Sequence, residues 1–323
     1  MKFAIRVAMF VLSVAIVAPG STAGVAEAYP AKRLTVVVPL PSGGPVDLMG
    51  RVIANALQER LKQTVIVENR VGAGGFVGSA SVVRAAPDGY TLLATASSTL
   101  YSDLFVKDNS SILWKELAPI SSAGYTALLL VAPAELKART LKEFIAMAKA
   151  TPGKMNFSSL ANSTQELEII AFARTSGIQM TIIPFNGTPP MLGALLGGSV
   201  QFAMHSPASV KQQVDAGKIV PLAISSRERL ESMPDVPTAV EAGLQFESTY
   251  WVGLMGPLNL PKDVTTQLHA AVSAGIKSPE VIARIKSLGF VPYSAGPEEL
   301  AASVQREAKY YAEIAKGAGV VPK

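Results

Sequence analysis

The sequence predicts an α/β protein of two lobes, and three observations carry that prediction. Short apolar runs alternate with segments of helical spacing along most of the chain, the pattern of open sheets flanked by helices. The chain has 323 residues, 49% of them hydrophobic, enough to build two cores rather than one. It has no cysteine, so packing alone must hold the layers together.

Leu34 to Val38 reads as the first strand, apolar enough to be buried on both faces. Ser42-Gly43-Gly44-Pro45 turns the chain into a helix from about Pro45 to Lys62, where Leu48, Met49, Val52, Ile53, Ala56, Leu57 and Leu61 recur at helical spacing. Val65 to Val67 and Tyr90 to Ala94 continue a largely parallel sheet, separated by a glycine-rich turn and a short helix near Gly78 to Ala85. A second series begins near Leu128. Thr140 to Glu143 and Ser163 to Glu166 have the form of capping boxes, opening helices that reach Lys149 and about Arg174. Strands are expected at Asn156 to Ser158, Thr181 to Pro184, Val200 to Met204 and Val220 to Ser225, with helices from Pro189 to Leu196 and from Ser206-Pro207 to Gly217. After a third capping box at Thr238 to Glu241 comes an extended stretch from Phe246 to Met255. Helices follow from about Pro261 to Ile276, Pro279 to Leu288 and Pro297 to Lys316. This last third has too few strands for a lobe of its own, so it is expected to return and cover the first.

The N-terminus has the form of a secretory signal. Lys2 and Arg6 precede an apolar run from Val7 to Ala18, and Ala26-Glu27-Ala28 is a small-x-small cleavage site. Residues 1–28 are therefore expected to be removed, leaving the mature chain in the periplasm.

Composition excludes several functions. The 29 basic and 24 acidic residues give a net charge of +5 and are scattered, which argues against nucleic acid or membrane binding. Two histidines, no cysteine, no GxSxG and no P-loop leave little for catalysis, and no side chains stand at metal-ligand spacing. A non-enzyme without metal or cofactor is expected. A hydrolase using Ser163 or Ser206 would find only His205 nearby.

The informative signals are glycine and hydroxyl turns after strands: Pro39 to Asp47, Gly72 to Gly75, and Ser97-Ser98-Thr99. Ligands of open α/β sheets collect at the carboxyl ends of strands, where helix starts present free N–H groups. Each such start favours a negative charge by ~0.3–1 kcal/mol, and by up to ~2 when partly buried. Several together make a carboxylate site without arginine.

In order and spacing the chain resembles the Bug family, the periplasmic receptors of tripartite tricarboxylate transporters. The resemblance is carried by Val38 to Asp47, by Val67 to Gly75 (VENRVGAGG), and by Ala85 to Leu93 (AAPDGYTLL). Leu195-Leu196-Gly197-Gly198, Asp235-Val236-Pro237-Thr238 and the closing Pro297-Glu298-Glu299 helix add to it.

It implies a type II periplasmic binding protein fold, two doubly wound α/β lobes with an interlobe cleft. The first lobe would hold residues 29–125 and 246–323 and the second residues 126–245, with crossings near Thr126 and Phe246. By position it implies ligand contacts at Leu40, Ser42, Gly43, Gly44, Asp47, Gly74, Gly75, Ser97, Ser98 and Thr99. From the second lobe come Ser163, Thr164, Phe185, Gly187, His205 and Ser206. It also implies a small organic acid as ligand and membrane permease subunits as partners; a monomer is the default expectation. The alternative is a sensor that shows its closed form to a membrane signalling partner.

Departures from the family pattern bear on the ligand. Leu40 stands where an aromatic is common, the Ser159 to Glu166 loop is one residue short, and Glu166 replaces a histidine. His205 and Gln201 also stand where other side chains are usual. A carboxylate near Gly43 with a neutral or amino group facing Glu166 and His205 is the expectation.

Overall fold

The computed structural model describes residues 29–105, 112–161 and 163–318. The signal segment predicted over 1–28 and Asn162 of the shortened loop lie outside the described residues. Among the described residues the strands form two sheets, one of six strands and one of five.

The first sheet is built around β1 (Leu34–Val38), whose Leu34, Val36, Val37 and Val38 are completely buried. β2 (Val65–Asn69) and β3 (Thr91–Ala96) flank it in parallel, with Val36 opposite both Val67 and Leu92. Then come β10 (Thr249–Pro257), β4 (Leu117–Ala127) and the two-residue β11 (Val291–Pro292), each antiparallel to its neighbours, giving the order β11-β4-β10-β3-β1-β2. The second sheet has the order β7-β6-β8-β5-β9. β6 (Asn156–Leu160) runs parallel to β7 (Thr181–Phe185) and β8 (Phe202–His205). β5 (Leu129–Pro133) is antiparallel to β8 and to β9 (Ile219–Ile224).

Both sheets are thus mixed, which corrects the largely parallel arrangement expected. The physical reason is the crossing. β4 leaves the first sheet and β5 enters the second after a single residue, and β10 returns antiparallel between β3 and β4. β4 had no predicted counterpart, because Pro119, Ser121, Ser122 and Gly124 hide its pattern.

Helices cover the faces. α1 (Pro45–Leu61) opens with proline in its first turn and buries Met49, Val52, Ile53, Ala56 and Leu57. α2 (Phe76–Val83) packs so closely that a Cβ on Gly78 would stand 2.4 Å from the Arg70 carbonyl oxygen, so only glycine fits. The short α3 (Ser97–Leu100) and α4 (Leu113–Glu116) follow. α5 (Leu141–Ala150), α6 (Thr164–Ser176), α7 (Thr188–Leu196) and α8 (Pro207–Asp215) belong with the second sheet. Its core is an aromatic stack of Phe144, Phe157, Phe172 and Phe202, the Phe172 and Phe202 rings lying 4.7 Å apart and nearly parallel. Each fully buried ring contributes about 2–3 kcal/mol.

The C-terminal third packs on the first sheet. α9 (Lys262–Gly275) lies against α1 and β4, and α10 (Pro279–Ser287) adjoins β11. α11 (Pro297–Ala318) buries Leu300, Val304, Ala308, Tyr311 and Ala315 at helical spacing. One end of that stripe reaches across to α6, so the last helix touches both lobes.

The predicted capping boxes fare differently. Thr140 accepts from the Glu143 N–H at 3.1 Å, while Glu143 reaches back to the Arg139 N–H at 2.7 Å. Thr238 and Glu241 pair reciprocally at 3.0 and 2.8 Å, although a turn follows them instead of a helix. Ser163 and Glu166 form no box. The Ser163 hydroxyl turns away to the Leu160 carbonyl at 2.9 Å, satisfying the strand end and leaving the helix start uncapped.

Candidate functional site

A cavity of about 90 Å³ lies between the lobes. Strand ends supply its walls: Leu40 follows β1, Ser98 follows β3, Leu160 ends β6, and His205 ends β8 with Ser206 after it. Helix starts fill the spaces between them, Pro45 and Val46 from α1, Thr188 from α7, and Ser206 and Ser209 at α8. None of these three helices has a side-chain cap, whereas Thr140 and Ser278 cap α5 and α10 away from the cavity. Pro45, Pro189, Pro190 and Pro207 in these first turns carry no N–H, but the remaining first-turn amides, such as those of Val46, Thr188 and Ala208, have no side-chain cap competing for them. Among the described residues no lysine or arginine lines the space.

Of the residues singled out from the sequence, Leu40, Ser98, His205 and Ser206 line this cavity. Gly187 immediately precedes Thr188, with φ at +125°, and Phe185 ends β7 with its carbonyl accepting from Ala161 at 2.9 Å. The others lie beside the cavity or inside its supports. Ser42 and Gly43 are exposed in the turn before α1, which needs the positive φ of +83° at Gly43. Gly44 is the residue at which α1 begins. Gly74 and Gly75 form the tight turn ahead of α2. Ser97 is fully buried, and its hydroxyl has no partner among the described residues. Thr99 is occupied locally, donating to the Ala96 carbonyl at 3.0 Å and meeting Thr95 at 2.6 Å. Ser163 and Thr164 are fully buried at the start of α6.

Asp47 is a strut. Its Oδ2 accepts from the Gly43 N–H at 2.9 Å and from Arg51 Nε at 3.0 Å, and its Oδ1 accepts from Asn69 Nδ2 at 2.9 Å. Burial alone would raise its pKa, but these donors hold it below the ordinary aspartate value. The same Asn69 nitrogen donates to the Leu40 carbonyl at 2.9 Å, so one buried carboxylate fixes the turn that carries Leu40 and Pro45.

The second-lobe wall differs from the expectation. Glu166 does not line the cavity; Gln165 and Glu168 do. Gln165 accepts from the Leu160 N–H and donates to the Met204 carbonyl, both at 2.7 Å, stitching β6 to β8. Gln201 is remote, tying the start of β6 through the Asn156 N–H at 2.8 Å. Glu168 is 3% exposed and accepts from the Tyr311 phenol at 2.8 Å. Burial pushes its carboxyl up to about 7, against the lowering effect of donors from Tyr311 and Ser248. Burial also pulls His205 down to about 4, which keeps the ring neutral at pH 7, and its Nε2 has no partner among the described residues.

Gln165, Glu168, Thr188 and Tyr250 had not been singled out in the sequence. One signal was available for Glu168: a carboxylate set inside the apolar run Leu167-Glu168-Ile169-Ile170 is either a surface residue or a buried functional one.

A larger hollow of about 910 Å³ lies over the residues that join the lobes. Arg227, Glu231, Glu247 and Lys286 line it, but they pair with one another, Arg227 with Glu247 and Lys286 with Glu231, each at 2.8 Å. No residue singled out from the sequence lines it. Helix starts and strand ends meet at the smaller cavity, which is therefore the candidate site.

Residues 49–320 match the family described as Tripartite tricarboxylate transporter family receptor. Protein BugT of Bordetella pertussis is 32% identical over 318 residues, spanning 97% of this chain and 96% of BugT. Among solved structures, MatC from Rhodopseudomonas palustris with bound malate is 30% identical, with a TM-score of 0.80 over 88% of this chain and 99% of MatC. Rpa4515 of R. palustris with adipate is 26% identical, with a TM-score of 0.84 over 91% of this chain and all of that one (100%).

Proposed function

Because this chain belongs to the receptor family of tripartite tricarboxylate transporters, we propose that it captures a small organic acid in the interlobe cavity and delivers it to a membrane permease. The family consists of periplasmic solute-binding receptors, not enzymes, and the periplasm is the corresponding location. Among the described residues no helix is long and apolar enough to cross a membrane.

One observation carries the reading: three uncapped helix starts and four strand ends from both lobes converge on one cavity that, among the described residues, no lysine or arginine lines. Such a site suits a carboxylate held by backbone N–H groups and by the hydroxyls of Ser98 and Ser206. Relatives solved with malate and adipate support the ligand class. In this reading the lobes are residues 29–125 with 246–323, and 126–245. At about 90 Å³ the cavity is smaller than the ~300 Å³ of ordinary ligand pockets, so the lobes part to admit a ligand and close on it. Only the ligand's better fit to the closed form drives that closure.

A thermal-shift screen of small organic acids tests the proposal, since a ligand at 100 times its Kd adds ~2.7 kcal/mol of stability. The expected result is a raised Tm with at least one acid, reduced in Ser98→Ala and Ser206→Ala. A flat response to every acid overturns it.

A further inference from the structure

The deep wall of the cavity is acidic and hydrogen-bond accepting, an unusual setting for an acid. Glu168 brings a buried carboxyl to it, and His205 brings a buried ring nitrogen that lacks a partner among the described residues. The titratable groups packed around Glu168 are Tyr310, Tyr311 and Glu307 from α11 and Tyr250 from β10. None of these is a cation, and no lysine or arginine lines the cavity. An ionised carboxylate buried without a counter-charge is costly, and a ligand cation would remove that cost.

Resting on the reading of the cavity as an organic-acid site, we propose that Glu168 and His205 form an acceptor subsite that selects an aminocarboxylate over a dicarboxylate. The ligand's carboxylate lies toward the starts of α1, α7 and α8. Its ammonium group lies against Glu168, and a second N–H of that nitrogen is accepted by Nε2 of the neutral His205 ring. A second carboxylate in this place would meet Glu168 directly, with nothing on that wall to separate the two charges. It enters only when Glu168 takes up a proton. With burial holding that carboxyl at about 7, discrimination is stronger at pH 8 than at pH 6.

Calorimetric titration of the full mature chain with length-matched pairs tests this. The probes are 3-aminopropanoate against succinate, 4-aminobutyrate against glutarate, and 5-aminopentanoate against adipate, each at pH 6 and pH 8. In the wild type at pH 8 the amino member of the bound pair is expected to bind at least ten times more tightly than its partner, with a smaller ratio at pH 6. Glu168→Gln, which keeps an acceptor for Tyr311, is expected to bring the pair to within about threefold. A dicarboxylate that binds as well as its amino partner to the wild type at pH 8, or a preference unchanged in Glu168→Gln, overturns the subsite while leaving the organic-acid site standing. Binding of neither class overturns the organic-acid reading itself. The wild-type pH comparison holds even if the variant fails to fold.

Discussion

The phenol of Tyr311, near the end of the last helix, donates to Glu168 Oε1 at 2.8 Å across the boundary between the lobes, and both residues are buried. Tyr311 also packs against Tyr101 at 5.3 Å between ring centroids, and Tyr101 in turn donates to the Val304 carbonyl at 2.8 Å. The boundary between the lobes is thus bridged through a chain of buried aromatics to a residue of the candidate cavity.

Tyr311→Phe keeps the ring and removes the donor. Leaving a buried carboxyl short of one partner costs about 1–3 kcal/mol, and the loss should be greater at pH 8, where Glu168 must carry charge. Urea denaturation at pH 5 and pH 8 measures both. Equal midpoints for variant and wild type would show that this bond holds nothing.

The pH dependence of stability has a defined sign. Burial raises Glu168, Glu307 and Asp103 each to about 7, from ordinary values of 4.5 for the glutamates and 3.8 for the aspartate. The native state therefore holds protons that the unfolded chain has already released, and the associated stability is complete only below the ordinary carboxyl values and is lost as pH rises from them through 7. Asp47, lowered, works in the opposite sense as pH falls below its ordinary range, and His205, lowered to about 4, opposes the trend of the three carboxyls between there and its ordinary value of 6.5 without outweighing them. The urea midpoint should fall from pH 5 to pH 8, less steeply in Glu168→Gln by up to one proton, ~1.4 kcal/mol per pH unit. A midpoint that rises over this range would contradict the account.

Asp47→Ala strips the turn before α1 of its anchor and leaves Arg51, Asn69 and the Gly43 N–H without their acceptor. Arg51 is half exposed and can turn to water, so the loss comes mainly from the Gly43 and Asn69 donors and is about 1–3 kcal/mol. Asp47→Asn, which keeps one acceptor oxygen, should lose less. Thermal melts rank the two, and acid affinity should fall in the same order because Leu40 and Pro45 ride on this turn.

Gln165→Ala frees the Leu160 N–H and the Met204 carbonyl, two strand-end groups beside the cavity. A loss of about 2 kcal/mol is expected, together with weaker ligand binding. Hydrogen exchange at the Leu160 amide reads the local effect: faster exchange in the variant supports the stitch, and unchanged protection removes it.

Much of the scaffold was legible because its signals are local. Leu34 to Val38 and the helical spacing from Met49 to Leu57 need no distant partner to be recognised. β4 was not, since Pro119, Ser122 and Gly124 make sense only against β10, whose register against it shifts twice. The site divides the same way. Leu40 and Ser98 follow strand ends, a rule that sequence can express, whereas His205 and Ser206 came through the family resemblance. Ser163 and Glu166 match a capping box in spelling, but the Leu160 carbonyl competes for the serine hydroxyl, and spacing along the chain does not reveal that competitor. Glu168 escaped because its burial comes from α11, more than 120 residues further along.

β10 sits in the middle of the first sheet, between β3 and β4. A chain emerging N-terminus first has therefore made the whole second lobe before the piece that completes the first is available. Until Thr249 to Pro257 arrives, β3 and β4 have open edges where they will later be joined, and such edges invite pairing with other chains. The order of assembly is written into the topology: the first sheet cannot be completed until β10 follows residues 129–224 out, so its two halves stay unjoined for most of the time the chain takes to emerge.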